Sequence, residues 1–180
     1  MRNKFEWAYI ALGSNKAFNG LAPADIIVRA AKAVCDFAAA GEAGNICSSL
    51  YRSPAWPDPS DPPFVNGVMK LSTALAPQAL MAGLLAIEAG FGRDRRAQCK
   101  NAPRSLDLDL LAMGDLVIKG QNAEELTLPH PRLAERSFVL VPLAEIAPDW
   151  RHPQTGAGIE DLLAGLAAKG AAPGDWPEKL

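Results

Sequence analysis

Two aspartates spaced i, i+2 stand in Leu106-Asp107-Leu108-Asp109-Leu110, directly downstream of a basic stretch. Side chains alternate along a strand, so both carboxylates point one way and Leu106, Leu108 and Leu110 the other. Two acids on one face repel unless a cation or a proton separates them. A hard cation held by a few carboxylates and completed by substrate phosphates is the usual magnesium arrangement. Between Arg93 and Arg104 the chain carries five cations (Arg93, Arg95, Arg96, Lys100, Arg104) and one acid. Guanidinium forks match phosphate oxygens. The segment reads as a magnesium-polyphosphate site.

A second chemistry lies upstream. Ser53-Pro54-Ala55-Trp56-Pro57-Asp58-Pro59-Ser60-Asp61-Pro62-Pro63 holds five prolines, which remove donors and fix φ, so it is a stiff loop. A loop of this length inside a domain is usually functional. It ends at Phe64-Val65-Asn66, where Phe64 and Asn66 share one face of a strand. An aromatic ring beside a carboxamide suits a flat heterocycle that stacks and offers both donors and acceptors. Trp56 is a candidate lid or packing anchor. His130, set between Pro129 and Pro131 and followed by Arg136 and Phe138, reads as a positioned side chain rather than core filling. His152 receives no role.

The elements that must carry these residues follow from pattern. Trp7 to Leu12 is an apolar strand closed by Gly13-Ser14-Asn15. Ile26, Ile27, Ala30, Ala33, Val34 and Phe37 give a helix from Pro23 to about Ala39. Ile46 to Arg52 reads as a second strand and Phe64 to Thr73 as a third. A helix runs from Pro77 through Leu80, Leu84, Leu85, Ile87 and Glu88 to a stop at Gly92. Leu106 to Met113 is the fourth strand, with Leu116-Val117-Ile118 as part of a small hairpin. Arg132 to Glu145 reads as one helix with a kink at Pro142, and Ile159 to Ala168 as a last short helix. The order β-α-β-β-α-β predicts a ferredoxin-like α+β sandwich, with an antiparallel sheet, helices on one face and extra C-terminal helices.

At 180 residues the chain fits one domain, 1–180, with a core over about 7–148 and a loose tail over 170–180. A net charge of −2 gives no global basic field for nucleic acid. Cys35, Cys47 and Cys99 form no CxxC pair, which suits reduced thiols better than disulfides or zinc. No apolar run reaches membrane-spanning length, and Met1-Arg2-Asn3-Lys4 leads into no signal-peptide core. The expectation is a cytoplasmic monomer without nucleic-acid or membrane partners. An RNA-binding or regulatory module on the same fold would carry a basic aromatic strand, whereas this strand carries acids that repel phosphate unless metal is present. A D-x-D nucleotidyl- or glycosyltransferase would leave the flanking arginines unexplained.

Six further segments occur together with these motifs: Tyr9-Ile10-Ala11-Leu12-Gly13-Ser14-Asn15, Tyr51-Arg52-Ser53-Pro54, Phe64-Val65-Asn66-Gly67, Ile87-Glu88 with Gly92-Arg93-Asp94-Arg95, Leu128-Pro129-His130-Pro131 and Arg136-Ser137-Phe138. Joined to Pro103-Arg104-Ser105-Leu106-Asp107-Leu108-Asp109, they make the chain resemble 6-hydroxymethyl-7,8-dihydropterin pyrophosphokinases over roughly residues 7 to 148. The resemblance implies a βαββαβ core, ATP as co-substrate, two Mg²⁺ ions and loop closure over ATP. It implies metal binding by Asp107 and Asp109 and a phosphate clamp of Arg93, Arg95 and Arg104, helped by Arg96 and Lys100. It also implies ATP contacts from Glu88, His130 and Arg136. Phe64 and Phe138 would sandwich the pterin, Asn66 would bond its edge, and Ser53, Pro54 and Trp56 would line its pocket. Two positions depart from the pattern: Asn101-Ala102 replaces a Trp-Gly that supplies an aromatic lid, and Leu85 stands where some members have Gln. Trp56 is the expected substitute lid.

Overall fold

The ten-residue strand β4 (Phe64–Thr73) organises the sheet in this computed structural model, which describes residues 5–38, 44–95, 102–121, 125–170 and 176–180. Val65, Met69 and Leu71 face one core and Val68 the other, as a period of two requires. Strand β1 (Glu6–Ser14) pairs antiparallel with β4 along its whole length, from Glu6 opposite Thr73 to Ser14 opposite Val65. On its far side β1 pairs antiparallel with β5 (Asp107–Met113). The other edge of β4 carries two short strands, β2 (Asn45–Cys47) and β3 (Tyr51–Ser53).

The strand expected over 46–52 is therefore two strands. Ser48 causes the break: its N–H donates to the Val68 carbonyl at 2.9 Å, and its hydroxyl, not its carbonyl, accepts the Val68 N–H at 3.0 Å. A side-chain oxygen that takes a ladder position frees the backbone to turn. The tail is also corrected. β6 (Glu178–Lys179) pairs with β3 and the Leu180 N–H donates to the Leu50 carbonyl, so this part is held to the sheet edge.

Helices α1 (Pro23–Ala38) and α2 (Pro77–Gly90) cover one face. Ile26, Ala30 and Val34 of α1 and Leu80 and Leu84 of α2 meet Ala8, Ile10, Leu12, Met69, Leu108 and Leu110, all essentially unexposed. Gly83 permits their close approach, because a Cβ there would overlap the Phe37 ring. The other face, expected to be free of the core helices, is closed by α3 (Ser137–Ile146) and α4 (Ile159–Ala168). Leu140, Leu143, Trp150, Ile159 and Leu166 pack there against Tyr9, Val68, Leu111 and Ala112. A β-bulge in β5 serves both cores: Tyr9 faces Ala112 and Ile10 faces Leu110, so Leu111 is the extra residue. Leu110 stays with the α1–α2 core, and Leu111 and Ala112 both join the other.

The helix expected from Arg132 to Glu145 is interrupted. A 3₁₀ turn over Leu133–Glu135 ends at Arg136, which is extended (φ −122°, ψ 106°), and α3 begins at Ser137. The interruption directs Arg136 toward β5, as its ion pair below shows. Pro142 lies inside α3 and is buried. Beyond β5, the expected hairpin of Leu116-Val117-Ile118 is not found among the described residues; Ile118 instead bridges Leu128. No helix among the described residues is long and apolar enough to cross a membrane.

Candidate active site

Gly13 lies at the centre of the site. It is opposite Asn66 on β4 and opposite Asp107 on β5, so the three residues form one row across adjacent strands. A Cβ at Gly13 would stand 3.3 Å from Asn66 Oδ1 and 3.8 Å from both Asp107 Cβ and Phe64 Cδ1. In the next row Ala11 faces Val68 and Asp109. These two small residues floor a cavity of about 610 Å³ on the α3 side of the sheet. Its position is a consequence of period two: Leu106, Leu108 and Leu110, alternating with the acids, fill the opposite core.

One wall is aromatic and amide. Phe64, Asn66, Ser53, Pro54 and Trp56 line it. Asn66 is 5% exposed and its Nδ2 donates to the Ser53 hydroxyl at 2.9 Å, which fixes the carboxamide plane. Trp56 is 68% exposed, and the Arg132 guanidinium lies 5.8 Å from its ring centroid. Phe138, Arg132, Glu135 and Leu166 contribute from the α3–α4 side.

The other wall is ionic. Arg104 Nη2 pairs with Asp107 Oδ2 at 2.9 Å, and Arg93 Nη1 with Asp107 Oδ1 at 3.2 Å. Arg93 also donates to the Leu106 carbonyl. Arg136 Nη1 donates to Asp109 Oδ2 at 2.9 Å while its guanidinium lies over the Phe138 ring. The Arg104 guanidinium in turn stacks 4.8 Å from the Phe64 ring centroid. Four guanidiniums (Arg93, Arg95, Arg104, Arg136) thus face three carboxylates, Glu88, Asp107 and Asp109. Arg93 Nε and Arg104 Nε are buried without a hydrogen-bond partner. Each keeps a donor that no protein group uses.

Glu88 is the third carboxylate of this group. It is 1% exposed, and Arg95 grips it bidentately, Nε to Oε2 and Nη2 to Oε1, each at 2.8 Å. Its Oε1 also accepts the Leu108 N–H at 2.7 Å. Glu88 is a buried anchor for Arg95 and β5. The hydrogen bond to Glu88 raises the Arg95 pKa further, and the guanidinium still reaches within 3.8 Å of Asp107.

His130 Nδ1 accepts the Arg132 N–H at 3.1 Å, which leaves the proton on Nε2, 4.0 Å from Asp109 Oδ2. Burial pushes the His130 pKa down, favouring the neutral ring. Burial pushes the Asp109 carboxyl up, but the cationic side chains beside it, His130 when protonated and Arg136, bring it below the usual range. Asp109 is a carboxylate at neutral pH. Arg93, Arg95 and His130 approach the two aspartates but, like Glu88, do not line this cavity. Arg96, Lys100 and Asn101 fall outside the described residues.

The donor set fits a hard cation. Two carboxylates face one cavity, and the described residues contain no group of three or more His, Cys, Asp or Glu that could enclose a metal. An ion held here would complete its shell with water and phosphate oxygens, the habit of magnesium. Sequence reading did not single out Arg132 and Glu135. Their one signal was position, immediately after His130-Pro131, in a turn that resembled ordinary helix.

The family model described as 7,8-dihydro-6-hydroxymethylpterin-pyrophosphokinase matches residues 9–148. A 2-amino-4-hydroxy-6-hydroxymethyldihydropteridine pyrophosphokinase of Synechocystis is 49% identical over 117 residues, 65% of this chain and 57% of that protein. The Pseudomonas aeruginosa protein of the same name is 39% identical over 163 residues, 90% of this chain and 93% of its own length. A crystal structure of wild-type Plasmodium falciparum HPPK-DHPS superposes with a TM-score of 0.71 at 14% identity. That match covers 98% of this chain and 50% of the other, and shares the fold.

Proposed function

The chain belongs to the 7,8-dihydro-6-hydroxymethylpterin-pyrophosphokinase family, and we propose that it transfers pyrophosphate from ATP to 6-hydroxymethyl-7,8-dihydropterin, releasing AMP. One observation carries the reading: a stacking-and-amide wall and an arginine–aspartate wall share a single cavity, joined where Arg104 lies over Phe64. A flat acceptor and a polyphosphate bound on those walls would have their reacting ends adjacent.

Each residue then has a task. Phe64 and Phe138 take the faces of the pterin ring. Asn66, with its plane set by Ser53, bonds the ring edge, and Trp56 closes over it in place of the aromatic lid absent at Asn101-Ala102. Asp107 and Asp109 would hold the two magnesium ions, which when bound neutralise polyphosphate charge and acidify the attacking alcohol. Arg104 and Arg136, which line the cavity, exchange carboxylate partners for phosphate oxygens, and Arg93 and Arg95 add their charge to the clamp while keeping their own partners, with Arg96 and Lys100 assisting. His130 presents its Nε2 proton to the nucleotide. The hydroxymethyl oxygen bonds to the β-phosphorus, the bond from the β-phosphorus to the oxygen bridging it to the α-phosphorus breaks so that AMP leaves with that oxygen, and the alcohol proton leaves to water. An in-line displacement of this kind depends mainly on positioning and charge stabilisation. One well-placed donor is worth on the order of 3 kcal/mol in comparable sites.

A single chain carries both the aromatic and the ionic wall, and a monomer acting as one catalytic unit is the proposed form. Small-molecule substrates and the free thiols Cys35 and Cys47 suit the cytoplasm. Two carboxylates at the centre of the site disfavour a nucleic-acid partner. The test is direct: ATP, Mg²⁺ and the reduced pterin alcohol are incubated with the protein and the products separated. AMP formation that depends on the pterin supports the assignment; ADP, or hydrolysis indifferent to the pterin, refutes it.

A further inference from the structure

We propose that Asn15 is a positioning residue that sets the distance between the pterin wall and the phosphate wall; the proposal rests on the pyrophosphoryl-transfer reading above. Asn15 follows the last residue of β1 and is 4% exposed. Its Nδ2 donates to the Pro62 carbonyl at 2.9 Å. Its Oδ1 accepts the Arg104 N–H at 2.7 Å, and its own N–H donates to the Arg104 carbonyl at 3.0 Å.

These three bonds join two segments far apart in the chain. Pro62 is the penultimate residue of the proline-rich loop, two positions before Phe64. Arg104 precedes β5 and reaches both Asp107 and the Phe64 ring. Asn15 therefore ties together the backbones at the bases of Phe64 and Arg104, whose side chains meet above it. The prolines around Pro62 leave that loop few N–H groups for anchoring, so its carbonyl is the handle available. A carboxamide is needed because one end must accept from an N–H while the other donates to a carbonyl. An aspartate keeps the acceptor and loses the donor; an alanine loses both. Asn15 touches neither reacting group, and its effect passes through Phe64 and Arg104.

The experiment measures steady-state AMP release by the wild-type chain, Asn15→Ala and Asn15→Asp, varying ATP and pterin separately. Because small misplacements of reacting groups cost up to about a hundredfold, Asn15→Ala is expected to lower kcat about tenfold or more and raise pterin KM about tenfold, with ATP KM within about twofold of wild type. Asn15→Asp, which keeps the Arg104 bond, is expected to recover most of kcat while pterin KM stays raised. Should Asn15→Ala fail to fold, the raised pterin KM of Asn15→Asp carries the test. An unchanged pterin KM in the folded variants, or equal rises in both KM values, overturns the proposal and leaves the pyrophosphokinase reading intact. A wild-type chain that forms no AMP overturns that reading and this proposal together.

Discussion

Replacing Glu88 with Gln separates an anchor from a ligand. Glu88 is 1% exposed and spends its oxygens on the Arg95 fork and the Leu108 N–H. A glutamine can keep the Leu108 bond through its oxygen, but its NH₂ then faces the Arg95 donors. Removing one member of a fully buried ion pair costs about 3–5 kcal/mol. Arg95 is 46% exposed and can turn to water, which reduces the expected loss to about 2 kcal/mol. For a domain of this size that lowers the melting temperature by about 4–8 °C. Differential scanning calorimetry of Glu88→Gln beside wild type measures the shift, and ATP KM is measured on the same preparations. An anchor gives a large thermal shift with a modest rise in ATP KM, caused by the loosened Arg95. A melting temperature unchanged to about 1 °C with a strongly raised ATP KM would refute the buried-pair argument and make Glu88 a direct ligand.

Asp107→Ala combined with Asp109→Ala is expected to abolish turnover and magnesium-dependent ATP binding, as followed by AMP release and calorimetry; full activity would end the metal assignment. Phe64→Ala should weaken pterin binding about tenfold or more while ATP binding changes little, since a stacked ring contributes about 1–3 kcal/mol. Equal losses would make Phe64 a packing residue. Glu145 gives a pH signature at the β3–β6 edge. Burial pushes its carboxyl up, but hydrogen bonds from the Ser49 hydroxyl and N–H, the Tyr51 hydroxyl and Lys179 bring it down to about 2 from an ordinary 4.5. A depressed carboxylate contributes its stability above pH 4.5 and loses it as pH falls toward 2. With its side chain 31% exposed the contribution is discounted to about 1 kcal/mol. The melting-temperature gap between wild type and Glu145→Gln should therefore close over that interval, and a gap constant with pH would disprove it.

The centre of the site was legible because a period of two is a local property. Asp107 and Asp109 share a face, and Leu108 and Leu110 enter the core, by strand geometry alone. Phe64 and Asn66 followed from the same rule. What escaped was set by partners distant in sequence. The 132–145 stretch has continuous helical periodicity, yet Arg136 leaves the helix to reach Asp109, across 27 residues. Glu88 sits on an apolar helical pattern, and only its contacts with Arg95 and the Leu108 N–H show that it is buried. The split between β2 and β3 depends on one serine hydroxyl replacing a carbonyl. A two-residue strand such as β6 has no periodicity to detect, and its place comes from β3 and Lys179.

The guanidiniums gathered around the cavity have a kinetic consequence. The chain as a whole carries a net charge of −2, so a polyanion far from the mouth feels little attraction, and the cavity acts only at close range. Screening confines such a field to about 8 Å at physiological ionic strength. Encounter with ATP is then assisted over the last approach, not steered from a distance. Added salt should slow association at the mouth more than it alters the rate of escape, because the partners exchanged inside are sheltered from mobile ions. The arginines already held by carboxylates also arrive with their directions set, so capture of a polyphosphate is a transfer of grip rather than an assembly of one.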